Sequence, residues 1–187
     1  MTGLGLTAWI YLLDKKIKEQ VDSNILQGTR KEIPGGRIYL CNCHNEGMAL
    51  GIGPKDQKNC QGISAAALGA AAGEYLRQNI QQKPMIGRIG LGMVMGGGLS
   101  NYMDRCEKGY VTDYISFRTS HKKLQKIVFN LSDVCIIAGT GLWLLSGLLP
   151  SHKNKTIKFK KNLKKIKKDV DIPNGMRYYN QAVAKSG

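Results

Sequence analysis

Residues 96–133, GGGLSNYMDRCEKGYVTDYISFRTSHKKLQKIVFNLSD, place the tightest limits on what this chain can become. A small, Gly-rich apolar run delivers Asn101, Asp104 and Arg105, a short connection presents Asp113, and a second apolar run opens with Asn130 and Asp133. Carboxylates at the ends of hydrophobic segments are costly unless paired, hydrogen-bonded or used, which makes each of them a candidate functional group. Asp113 and Asp133 are the candidate pair for two-carboxylate hydrolytic chemistry.

At 187 residues the chain is long enough for one domain with a real core. Its 22% charged and 42% hydrophobic content and mean hydropathy of -0.26 look like those of an ordinary soluble protein. That average hides a segregation, because residues 151–187 hold ten Lys and one Arg against two Asp, or +9 of the formal +15. Without that tail, four apolar stretches stand out. A lysine-rich segment directly after an apolar run favours an anionic membrane surface as partner. Nucleic acid is not expected, because no recognition motif is present and the tail's aromatics are Phe159, Tyr178 and Tyr179. Met1–Leu13 lacks a basic leading region and an A-x-A site, so it reads as part of a retained helix and not as a cleavable signal.

The five cysteines, Cys41, Cys43, Cys60, Cys106 and Cys135, are odd in number and form no CxxC. Cys41 and Cys43 precede His44 but have no second ligand pair, so structural thiols are expected and no metal. The spacing leaves open a disulfide from Cys41 or Cys43 to Cys60.

Residues 3–21 read as one helix, apolar first and charged later, with Asp14 and Lys18 four apart on one face. Spacing alone describes a surface ion pair there. The apolar part is shorter than the roughly 20 residues usual for a bilayer span. From Asp22 to Cys60 the pattern is one of turns and short strands, with a turn at Pro34–Gly36 and a strand near Arg37–Cys43, which predicts a small extramembrane sheet. Residues 61–76 form a small-residue helix in which Gly69 and Gly73 have the close-approach spacing, although a soluble Ala-rich core helix fits equally well. Residues 85–100 repeat that spacing at Gly92 and Gly96, and residues 131–149 carry Trp143 and stop at Pro150. Arg77, Lys83, Arg88 and the basic tail mark the cytoplasmic side. Four spans then put both termini inside, with the sheet and the 104–130 connection outside.

Five segments, in order, resemble the motif set of the bacterial lipoprotein signal peptidases (signal peptidase II). Leu13–Lys18 resembles the family's first-helix Asp and Lys, and Asn45–Gly51 is similar to its Asn-x-Gly-x-Ala-Phe-Gly element. Gly97–Arg105 is similar to Gly-Gly-x-x-Asn-x-x-Asp-Arg, Gly109–Ile115 to Gly-x-Val-x-Asp-Phe, and Phe129–Asp133 to Phe-Asn-x-Ala-Asp. Ser100 stands where the family usually has Gly, Leu50 where Phe is usual and Ser132 where Ala is usual. The resemblance implies a mainly α, integral membrane fold. Residues 1–150 would be a four-transmembrane-helix bundle with an extracytoplasmic β-cradle within 22–60, and residues 151–187 a basic cytoplasmic tail. It implies a bacterial inner-membrane aspartyl peptidase that cuts a prolipoprotein just before a diacylglyceryl-modified cysteine, with no cofactor. A monomer is expected. A divergent or inactive relative that binds lipidated peptides without cutting them is the alternative.

Two close carboxylates cannot both ionise, so one proton is shared between them. The ionised member acts as general base on water while the protonated one polarises the scissile carbonyl. The resemblance gives these roles to Asp113, expected on a loop, and Asp133, expected at a helix start. Their plainer readings are a solvated loop acid and a helix-terminal dipole partner. Asn101, Asp104 and Arg105 share a helix face, with Asp104 expected to pair with Arg105 or Lys18. Asn130 is placed to hold Asp133 or substrate backbone. Asn45 and the run from Gly47 to Gly53 are expected to form a flap, and Asp14 and Lys18 a structural polar pair. His44, His121 and His152 look incidental.

Overall fold

A computed structural model describes residues 2–33, 35–36, 38–47, 56–118 and 127–148. The flap expected at 48–53, His121, His152 and the lysine-rich tail lie outside the described residues. In chain order the elements are α1 (Thr2–Asn24), β1 (Arg30–Glu32), β2 (Ile38–Asn45), α2 (Gln57–Ile80), α3 (Met85–Glu107), β3 (Val111–Phe117), β4 (Val128–Phe129) and α4 (Leu131–Leu148). The fold is mainly helical with a small antiparallel sheet.

Helix α3 packs against α1, α2 and α4 because its glycines let the partner backbones come close. A Cβ on Gly92 would lie 2.7 Å from the Gly3 carbonyl oxygen of α1, and one on Gly97 would strike the Ser132 carbonyl of α4. The close-approach reading of Gly69 and Gly73 is corrected: a Cβ on either would meet nothing within 4 Å. That face of α2 points outward.

The sheet has the order β1-β2-β3-β4, with every neighbouring pair antiparallel. It extends beyond the 22–60 segment expected to hold it. Asp113 is therefore not a loop acid; it sits on β3, paired in register with Cys43 of β2. Val111, Thr112, Tyr114, Ile115 and Phe117 suit a pleated ladder, so the strand is locally encoded. A register shift between Leu40 and Cys43 marks a bulge beside this pairing, a device that re-aims side chains.

Polarity is inverted relative to a water-soluble globule. Asp14, Lys18, Asn101, Asp104, Arg105, Asp113 and Asn130 are buried, while Leu4, Trp9, Leu12, Leu76, Ile80, Ile137, Leu144 and Leu148 are exposed. A small apolar cluster of Ala71, Tyr75, Leu91 and Met95, joined by Trp143, holds α2 and α3 together. Among the described helices only α4 is long and apolar enough to cross a membrane by itself, and just 22% of it is buried. Charged residues inside the helical runs find partners: Glu74 pairs with Arg77 at 2.6 Å and accepts from Trp143 Nε1 at 3.2 Å, and Arg88 donates to Asn79 Oδ1 at 3.1 Å. None of the five cysteines is in a disulfide, which closes the disulfide alternative.

Candidate active site

Asn130 joins the two acids. Its Nδ2 donates to Asp113 Oδ1 at 2.7 Å, and its backbone N–H donates to Asp133 Oδ2 at 3.3 Å. Its own Oδ1 accepts from the Asp133 N–H at 2.9 Å, so Asn130 and Asp133 form a reciprocal cap at the start of α4. This helix-terminal role does not exhaust the Asp133 carboxylate. The other oxygen, Oδ1, accepts from Asn101 Nδ2 at 3.0 Å, and Asn101 Oδ1 in turn accepts from Asn130 Nδ2 at 3.2 Å. Asp113 Oδ2 accepts from Asn45 Nδ2 at 3.1 Å. Three asparagines from β2, α3 and the head of α4 thus surround two carboxylates from β3 and α4.

The two acids differ in surroundings. Asp113 is 4% exposed, whereas Asp133 keeps partial access to solvent. Burial pushes the Asp113 carboxyl up to about 7, with a further upward push from the negative charge of Asp133. Hydrogen bonds from Asn45 and Asn130 and the more distant Lys18 ammonium pull it back only partly. A carboxyl that titrates near neutrality beside a second carboxylate can hold a proton at physiological pH, as general acid–base chemistry requires.

Beneath the acids lies a buried ionic layer. Lys18 reaches Asp14 at 2.8 Å and Asp104 at 3.0 Å, and donates to Ser100 Oγ at 3.1 Å and Asn101 Oδ1 at 2.9 Å. Asp14 and Lys18 are fully buried, so the surface ion pair suggested by spacing is corrected to an interior one. Asp14 Oδ2 also accepts from Ser100 and Ser132, both at 2.6 Å, and Oδ1 accepts from Tyr114 at 2.8 Å. Asp104 takes a second ion pair from Lys108 at 3.2 Å. Its expected partner Lys18 is the one found; Arg105 instead donates to the backbone carbonyls of Gly47 at 3.0 Å and Asn101 at 3.0 Å. Asn45 Oδ1 accepts from the Gly47 N–H at 3.1 Å, which fixes the turn after β2.

All ten residues singled out in the sequence therefore fall into one connected polar network. Three hydroxyls bonded to Asp14 were missed as site residues: Ser100, Tyr114 and Ser132. All three stand where the motifs have a residue that cannot donate, and a hydroxyl in place of Gly, Ala or Phe was the available signal. His44, read as incidental, stacks on Tyr110 with ring centroids 3.7 Å apart, and its Nε2 lies 3.6 Å from Asp22 Oδ1. Among the described residues no cluster suited to a metal ion occurs.

Helices around a polar interior, an apolar exterior and two acids joined by Asn130 define a membrane-enzyme fold. Two solved structures, described as bacterial membrane enzymes determined by the in meso method at 2.3 and 1.9 Å resolution, share it with TM-scores of 0.68 and 0.67. Each is 19% identical to this chain; the first covers 79% of this chain and 87% of its own, the second 80% and 94%. The family model described as signal peptidase (SPase) II matches residues 6–149, and the chain belongs to that family of peptidases. Curated relatives include the lipoprotein signal peptidase of Symbiobacterium thermophilum, 30% identical over 82% of this chain and 98% of that protein. That of Brucella ovis is 32% identical over 74% of this chain and 84% of that protein. The matched region runs from the first turns of α1 through the end of α4 and stops before the lysine-rich tail.

Proposed function

We propose that this chain is a membrane aspartyl endopeptidase that removes the signal peptide of prolipoproteins by cutting before a diacylglyceryl-modified cysteine. The observation that carries the reading is Asn130, which bonds both Asp113 and Asp133 in a chain of the signal peptidase II family. The pair holds one proton, owned by neither acid alone. Its ionised member takes a proton from water as the water oxygen attacks the scissile carbonyl, while the protonated member donates a hydrogen bond to that carbonyl oxygen. Collapse of the tetrahedral intermediate breaks the C–N bond and passes a proton to the departing amine. The products are a signal peptide with a free carboxylate and a lipoprotein with a cysteine amino terminus. Asn101 and Asn45 orient the acids, and Arg105 holds the Gly47 turn beside them.

The four helices are read as spans of the bacterial inner membrane, with both termini inside and the acids at the outer face. Twelve exposed large hydrophobics on the described parts of these helices, Ile137 at 74% and Leu148 at 81% exposure among them, support this, since lipid accepts a surface that water would not. The 151–187 tail would then meet anionic headgroups, and the working form is a monomer.

The test is cleavage of a diacylglyceryl-modified prolipoprotein by the full chain in lipid, with Asp113→Asn and Asp133→Asn beside it. Cleavage by the parent and loss in both variants is expected. Full-rate cutting by either variant rejects the pair, and a parent that binds lipidated peptide without cutting it makes the chain a silent relative.

A further inference from the structure

Three hydroxyls converge on one buried carboxylate, and each stands next in sequence to a residue of the acid site. Ser100, Ser132 and Tyr114 donate to Asp14 at 2.6, 2.6 and 2.8 Å, and Lys18 supplies a fourth contact at 2.8 Å. A carboxylate has about four lone-pair sites, so Asp14 is saturated. Ser100 precedes Asn101, which holds Asp133; Ser132 precedes Asp133; Tyr114 follows Asp113. The Tyr114 oxygen also accepts from the Leu131 N–H at 3.0 Å, which ties β3 to the first turn of α4. At these three places the motifs that the chain resembles have Gly, Ala and Phe, none of which can donate. A single buried hydroxyl without a partner is costly, so the three hydroxyls are explained together by Asp14 and not one at a time.

We propose that Ser100, Tyr114 and Ser132 are positioning residues that use Asp14 as a common anchor to set the separation of Asp113 and Asp133. The inference rests on the two-carboxylate reading above. The anchor lies on α1 while the acids lie on β3 and α4, so it adds a third element to the ties that Asn130 and the short β3–β4 ladder already make between them. With it, a shift of β3 away from α4 must also break contacts to a saturated, fully buried carboxylate.

The experiment measures kcat, KM and the pH dependence of kcat/KM for prolipoprotein cleavage by the full chain in lipid. Tyr114→Phe, Ser132→Ala and Ser100→Gly are made singly and together, with thermal melting followed in parallel. Each single change is expected to lower kcat about tenfold with KM changed less than about twofold. The alkaline limb of the profile, near pH 7 in the parent from the Asp113 carboxyl, is expected to move down as the acids separate. The charged and titratable groups that bear on that limb are Asp133 from α4, Lys18 from α1, and Cys41 and Cys43 from β2. Parental kcat with an unmoved limb in Tyr114→Phe overturns the proposal, as does a fall in kcat that only tracks the melting temperature with the limb in place. If the triple variant does not fold, the single variants decide. Failure of the acid pair itself is read separately, from full-rate cutting by Asp113→Asn or Asp133→Asn.

Discussion

Replacing Asp113 with Asn should stabilise the fold progressively as pH rises while it removes activity. Folding holds this carboxyl at about 7 against an ordinary 3.8, so between those values the unfolded chain releases a proton that the folded chain keeps. The folded state then binds more protons than the unfolded one, and stability falls as pH climbs through that window. Below about pH 4 both states are protonated and the effect vanishes; above about pH 7 it is complete. Three pH units at about 1.4 kcal/mol each give at most about 4 kcal/mol, or about 8–16 °C in a domain of this size. Asp113→Asn removes that pH-dependent loss. It also adds a constant cost, because Asn130 at 2.7 Å and Asn45 at 3.1 Å both donate to this position and a neutral amide accepts at only one end. That cost, about 1–3 kcal/mol, does not change with pH. The assay is thermal unfolding of parent and variant in the same detergent from pH 4 to pH 8.5. The variant should gain on the parent from about pH 4 to about pH 7 and keep that gain above it, and a melting difference that stays flat throughout would refute a neutral-range proton at this site.

Three further outcomes follow from the packing. Lys18→Met leaves Asp14 and Asp104 buried without their shared cation, so about 3–5 kcal/mol of stability should be lost, seen as a lower melting temperature. Gly97→Ala drives a methyl into the Ser132 carbonyl and should cost about 1–3 kcal/mol, whereas Gly69→Ala faces open space and should be neutral or gain up to about 1 kcal/mol; denaturation in detergent separates them. Asn130→Ala removes the side-chain cap of α4 and the amide contact to Asp113 while the backbone N–H to Asp133 stays, so kcat for prolipoprotein cleavage should fall about 100-fold or more while substrate binding persists.

The parts of this molecule that were legible in the chain are those encoded within a few residues. Apolar runs marked all four helices, and the acids at their ends marked the residues that the fold gathers. Strand β3 went unread although Val111, Thr112, Tyr114, Ile115 and Phe117 are strong strand formers, because Val111 through Tyr114 are buried on both faces and show no alternation. The burial of Asp14 and Lys18 was invisible from their spacing of four. The groups that cover them come from positions 82 to 118 residues away. Likewise Gly69 and Gly73 have the same spacing as Gly92 and Gly96, but only the second pair turns toward a partner helix. Period alone cannot say which side of a helix its neighbour will take.

The double duty of Asn130 carries a consequence for biosynthesis. The residue that starts the last helix is also the clasp between the acids, so on the proposed function seating that helix in the membrane and assembling the hydrolytic centre would be one event. A nascent chain with its final segment still in transit would hold two separate, solvated acids and no peptidase. Activity would switch on only once the whole chain has arrived.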